Sequence, residues 1–205
     1  MDEVVIVGTG GLSLEVACWF ADVFEVVGYL KTDDGPVRED LEAPVYSESN
    51  VAAAATKLAV MAVADPVAKS GIHKRVANLG LRFPSYVHPS SVVAGSAKIS
   101  EGVIIAPNCT IAPYVRLGRL AYVNFGCGIG HDCRIGDYTQ INPGAQLGGA
   151  ATLGQSVLVG SGSTILQGVD VGEKATVGSG SIVFSQVLPG ATVMGNPAKR
   201  MRSFE

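Results

Sequence analysis

One short stretch carries residue types that can do acid–base chemistry: Gly128-Ile129-Gly130-His131-Asp132-Cys133. An imidazole takes up and releases a proton near neutral pH, and a carboxylate beside it fixes its tautomer and raises its basicity. Two glycines precede the pair, so little bulk shields the ring. The chain has three histidines. His73 falls in a segment with helical spacing, and His88 lies in Val87-His88-Pro89-Ser90, which reads as a turn. His131 therefore stands apart as a candidate general base with Asp132 as its orienting acid. Eighteen residues further along is Gly149, in Leu147-Gly148-Gly149. A glycine there lets a ligand approach the backbone and offers an N–H that can hold an oxyanion.

The interval of eighteen matters because of the element that positions these residues. Stepping by six from Val87 through Val93, Ile99 and onward to Val177 and Val183 gives seventeen consecutive positions, each Val, Ile or Leu. The residue four places after each is nearly always small or valine. A short strand with its aliphatic residue inward, turning every six residues, makes a triangular coil of eighteen. Such coils stack at about 4.8 Å. The predicted fold of this part is a left-handed parallel β-helix, with Cys109 and Cys127 as stacked interior residues. No insertion interrupts the repeat. A binding site must then be assembled from coil faces and corners, and three-sided prisms close naturally as a threefold homotrimer with sites at subunit interfaces.

Residues 1–83 follow a different rhythm. Met1 to Gly8 reads as a β-branched strand ending in the turn Gly8-Thr9-Gly10-Gly11, and Leu12 to Phe20 has helical spacing. Phe24 to Leu30 reads as a second strand, Asn50 to Leu58 as an alanine-rich helix, Leu58 to Ala64 as a buried strand, and Pro66 to Leu79 as a helix. Alternating strands and helices predict a small α/β domain, Rossmann-like, over 1–83, followed by the β-helix domain over 84–205.

Composition narrows the function classes. Charged residues make up 16% of the chain, aromatics 6%, and the formal net charge is −3, which offers no electrostatic footprint for nucleic acid. No apolar run has the length of a membrane span, and the N-terminus lacks a basic signal-peptide region, so a cytoplasmic protein is expected. The four cysteines have no CxxC spacing and no metal is expected.

The stretch NFGCGIGHDCRIGDYTQINPGAQLGG, with SQVLPGATVMGNPAKRMR near the end, resembles bacterial hexapeptide acetyltransferases that modify nucleotide-linked amino sugars. That family includes N-acetyltransferases of UDP- or GDP-4-amino sugars and sialic-acid O-acetyltransferases, and the resemblance runs along essentially the whole chain. It implies acetyl-CoA as co-substrate and direct transfer without an acyl-enzyme. His131 matches the general base and Asp132 the acid that tunes it. Gly149 matches the glycine whose amide faces the thioester carbonyl. Ser161 and Ser179 match backbone contacts to acetyl-CoA between subunits, and Lys199, in Gly195-Asn196-Pro197-Ala198-Lys199, lies in the tail that closes over CoA. Gln140 replaces a second family histidine that contacts acetyl-CoA. The family's first glycine loop binds the nucleotide-sugar; here it is Gly8, Thr9, Gly10, Gly11 and Leu12, with Asp33 after the second strand. The family usually has histidine at the place of Leu12, and an acidic pair where this chain has Lys31-Thr32 before Asp33-Asp34.

Three other readings are open to the same residues. A sugar-nucleotide binder that has lost turnover fits the changes at Leu12, Lys31 and Gln140. A γ-class carbonic anhydrase shares the β-helix but needs three histidines around a metal. An NAD oxidoreductase fits the glycine loop but needs an acid where Lys31 stands.

Overall fold

The computed structural model describes residues 1–32 and 37–201. The chain divides into two compact units, Met1–Tyr86 and the part from Val87 onward.

The first unit holds a four-stranded, all-parallel sheet made of β1 (Asp2–Val7), β2 (Phe24–Leu30), β3 (Val45–Tyr46) and β4 (Ala59–Met61), in the order β3-β2-β1-β4. The run Val4 to Val7 is fully buried, as expected of a central parallel strand. Helix α1 (Gly11–Trp19) follows β1 directly, and α2 (Pro66–Val76) follows β4. Proline at the first position and Asp65 as the cap start α2, with the Asp65 carboxylate accepting from the Ala68 N–H at 2.6 Å.

One predicted element is absent. The alanine-rich segment Asn50 to Leu58 forms only a 3-10 turn at Val51–Ala53, and Ala54 is already extended at φ −63°, ψ 146°. Alanine propensity alone does not sustain so short a helix without an apolar face to bury. The buried strand is also shorter than predicted, at Ala59–Met61.

The second unit is a prism of three sheets, of five, eight and six strands, visited in rotation and parallel except for the last strand of the eight, Lys199–Arg200, which runs antiparallel. Its two-residue strands pair with partners eighteen residues away: Gly128–Ile129 with Thr110–Ile111 below and Gln146–Leu147 above. This arrangement fits a left-handed parallel β-helix. The stepped aliphatic residues fill the interior, from Ile105 to Val183 in one continuous core. The small interior positions add a second bond type. Cys109 and Cys127 donate Sγ–H to the carbonyls of Asn124 (3.0 Å) and Asn142 (3.2 Å), and Thr139 donates to Gly154 at 3.0 Å. After Val183 the period tightens: Val187 bridges to Val171 and Thr192 pairs with Thr176, sixteen residues apart.

The corners from Gly102 to Gly180 share one requirement. The residue three after the inward aliphatic sits in the left-handed region, as at Asn108 (φ 58°), Asp132 (φ 60°), Ala150 (φ 58°) and Gly168 (φ 71°). Asn and Asp tolerate this region better than most side chains.

Candidate active site

His131 and Asp132 occupy the corner between strand Gly128–Ile129 of the six-stranded sheet and strand Arg134–Ile135 of the five-stranded sheet. Side chains adjacent in sequence ordinarily diverge. Here the left-handed backbone at Asp132 brings its carboxylate round, and Oδ2 lies 2.8 Å from His131 Nδ1. Both side chains are more than half exposed, at 60% and 57%. The bond occupies Nδ1 and leaves Nε2 as the proton-carrying or proton-accepting atom.

Gly149 stands at the equivalent place one coil above, and the imidazole leans onto it. A β-carbon built on Gly149 would lie 2.5 Å from His131 Nε2 and 2.7 Å from Cε1. The glycine is thus the space in which the ring lies. The Gly149 N–H has no acceptor among the described residues. The two coils are locked together beneath the ring: Ala150 N–H donates to His131 O at 2.7 Å, and Cys133 Sγ–H donates to Gly148 O at 3.2 Å. Burial pushes the Cys133 thiol up, so it remains a neutral donor.

From Gly130, next to His131, an open groove of about 460 Å³ crosses the six-stranded face towards Asn108 and Gly126. Thr110 and Gly128 keep its floor low. The amide of Gln146 lies over Gly128 and reaches the carbonyls of Gly126 and Gly144, each at 3.3 Å.

The remaining prism residues singled out from the sequence lie elsewhere. Gln140 is in the eight-stranded sheet, buried, with Nε2 3.3 Å from Asn142 Oδ1. Ser161 and Ser179 share the corner between the eight- and six-stranded sheets, one coil apart. Lys199 is exposed and pairs through its backbone with Met194. Of the residues singled out on the prism, His131, Asp132 and Gly149 are brought together at one corner.

In the first unit, Gly8, Thr9, Gly10, Gly11 and Leu12 line a cleft of about 520 Å³, together with Thr32, the segment after β4, and the α2 residues Ala68, Gly71, Ile72 and Arg75. Asp33 lies outside the described residues. Sequence reasoning missed the α2 wall. The available signal was Gly71, a glycine inside an otherwise helical segment. On the buried face of α2, Lys69 is fully enclosed, and burial lowers its pKa to about 7, partly countered by the Asp65 charge.

Among the described residues no three His, Cys, Asp or Glu side chains gather as a metal site. No helix among them is long and apolar enough to cross a membrane.

No known family model and no curated protein matches this sequence. Solved structures do. PerB from Caulobacter crescentus, solved with CoA and GDP-perosamine, is 26% identical, with a TM-score of 0.89 over 98% of each chain. The acetyltransferase domain of PglB from Neisseria gonorrhoeae FA1090, solved with acetyl coenzyme A, is 26% identical. Its TM-score is 0.86, over 98% of this chain and 99% of that one. This chain has the fold of these acetyltransferase structures. WeeI from Acinetobacter baumannii AYE, at 24% identity, shares the fold with a TM-score of 0.87 over 98% of this chain and all of its own. These likenesses cover 98% of this chain and so extend over both units.

Proposed function

We propose that this protein transfers the acetyl group of acetyl-CoA to the amino group of a nucleotide-linked amino sugar, with His131 as general base. The observation that carries this is the corner itself. An imidazole more than half exposed is oriented by Asp132 through Nδ1, with Nε2 lying against Gly149, whose backbone N–H has no acceptor among the described residues. Structures of similar architecture were solved with CoA, acetyl-CoA and GDP-perosamine.

In this reading the amine nitrogen attacks the acetyl carbonyl carbon while His131 Nε2 takes the proton the nitrogen must lose. The carbonyl oxygen becomes an oxyanion, for which the Gly149 N–H is the donor. Collapse breaks the carbon–sulfur bond, and the departing thiolate takes the proton from the imidazolium. Asp132 stabilises that imidazolium and holds the ring. No acyl-enzyme is required.

We assign the first unit the acceptor. Its parallel order β3-β2-β1-β4 is that of a Rossmann-like half-domain, whose first loop receives phosphates at a helix N-terminus. Gln140, Ser161, Ser179 and Lys199 are assigned to the coenzyme. Because they lie on other parts of the prism from His131, a coenzyme touching both sets bridges two copies, which favours a homotrimer with its sites between subunits. Both substrates carry phosphates and do not cross bilayers unaided, so the reading puts the protein in the cytoplasm.

The test is acceptor-dependent release of CoA. Purified protein with acetyl-CoA should liberate free thiol when a UDP- or GDP-linked 4-amino sugar is added, and the product should gain one N-acetyl group by mass. Thiol release that no amino sugar stimulates would refute the assignment.

A further inference from the structure

Helix α2 presents Ala68, Gly71, Ile72 and Arg75 to the cleft of the first unit, the spacing of one helical face. Gly71 sits in the helix interior, where glycine is the least favourable residue after proline. Nothing among the described residues demands it. Its backbone is ordinary, and a β-carbon there would meet no atom within 4 Å; the same is true of Gly10 and Gly11 across the cleft. Three glycines that neither backbone conformation nor packing requires thus line one cavity, and what they have in common is that they leave it empty.

One turn beyond Gly71 stands Arg75, the one cation among the described residues that line the cleft. Its side chain is pinned rather than loose: Nη2 donates to Thr32 O at 2.8 Å and Nε to Glu48 Oε1 at 3.1 Å. A guanidinium offers more donors than these two contacts use. The lining carboxylate, Asp65, has Oδ1 turned to the Ala68 N–H as a helix cap.

We infer that the Gly71–Arg75 face of α2 is a wall of the acceptor site, where Gly71 leaves room for a nucleoside diphosphate and the Arg75 guanidinium binds its phosphate. This rests on the nucleotide-linked acceptor proposed above. It adds two residues outside the glycine loop and makes the cleft selective for phosphate-bearing over free sugars. The arrangement suits Arg, because a pinned planar fork matches phosphate oxygens in a way a flexible ammonium does not.

The experiment is titration calorimetry of UDP and GDP into the full-length protein and two variants, with thermal denaturation of each. Gly71→Leu fills the cleft but improves helix propensity, so it should keep or raise Tm while weakening diphosphate binding by more than about tenfold. Arg75→Met should weaken it by about tenfold or more, with Arg75→Lys recovering part of the loss and acetyl-CoA affinity unchanged. Gly71→Ala, a smaller step in the same direction, covers the case in which leucine misfolds. If the parent binds a diphosphate and either Gly71→Leu or Arg75→Met binds it within about twofold of the parent, the wall assignment is wrong. If the parent binds neither diphosphate while still binding acetyl-CoA, the acceptor reading itself fails and this inference with it.

Discussion

The His131 ring lies over the α-carbon of Gly149, one coil above it, so closely that a β-carbon would stand 2.5 Å from Nε2. The two residues are eighteen apart in sequence, and the stacking of coils makes them neighbours. A base built on a flat prism surface has few side chains around it to hold its ring. Here the Asp132 carboxylate fixes one edge and the bare glycine backbone supports the other.

Gly149→Ala therefore displaces the imidazole without adding bulk to the core. Its kcat should fall about 100-fold, the scale expected for a misplaced catalytic group, while Tm moves by no more than about 3 °C. Steady-state kinetics beside thermal denaturation checks both. An alanine variant with parental kcat would mean that the ring need not rest on residue 149.

Asp132→Asn separates charge from backbone conformation, because asparagine also accepts the left-handed corner at φ 60°. The amide still reaches Nδ1 but stabilises no imidazolium and permits the wrong tautomer. An activity loss of roughly 10²-fold or more is expected, with the fold intact by circular dichroism.

How much of this was legible in the sequence depends on what each signal encodes. The prism was legible because each coil repeats the same inward aliphatic residue, from Val87 to Val183, and repetition accumulates. The pairing of His131 with Asp132 was visible as adjacency, and Gly149 as an eighteen-residue echo. The lean of the ring onto Gly149 was not visible, because a side chain's direction at a corner depends on the local backbone. Asn50 to Leu58 misled because alanine content reports propensity, whereas helices survive by burying a face. The α2 wall went unread because Gly71 is a single residue whose meaning lies in the cleft it faces.

Lys69 predicts a pH dependence of stability. Its folded pKa is lowered to about 7 from an ordinary value of 10.5, so between those values the unfolded chain binds more protons than the folded one. Stability should then rise with pH across that window, by at most about 1.4 kcal/mol per pH unit from this group. Lys69→Met should remove that part of the slope. Urea denaturation at pH 7 and pH 9.5 measures it.

Ile141 is fully buried on the inward stack between Val123 and Val159. Ile141→Ala should cost about 2–5 kcal/mol. Each coil contacts only its neighbours, so the loss should reach the adjacent His131 corner as faster local hydrogen exchange.

The central claim is that His131 carries the proton in acetyl transfer, and single-turnover kinetics of His131→Ala with both substrates saturating tests it most directly. A fall of about 10²- to 10⁴-fold in the transfer rate, with acetyl-CoA binding unchanged, is the predicted result. A variant that transfers acetyl within about twofold of the parent rate would contradict it.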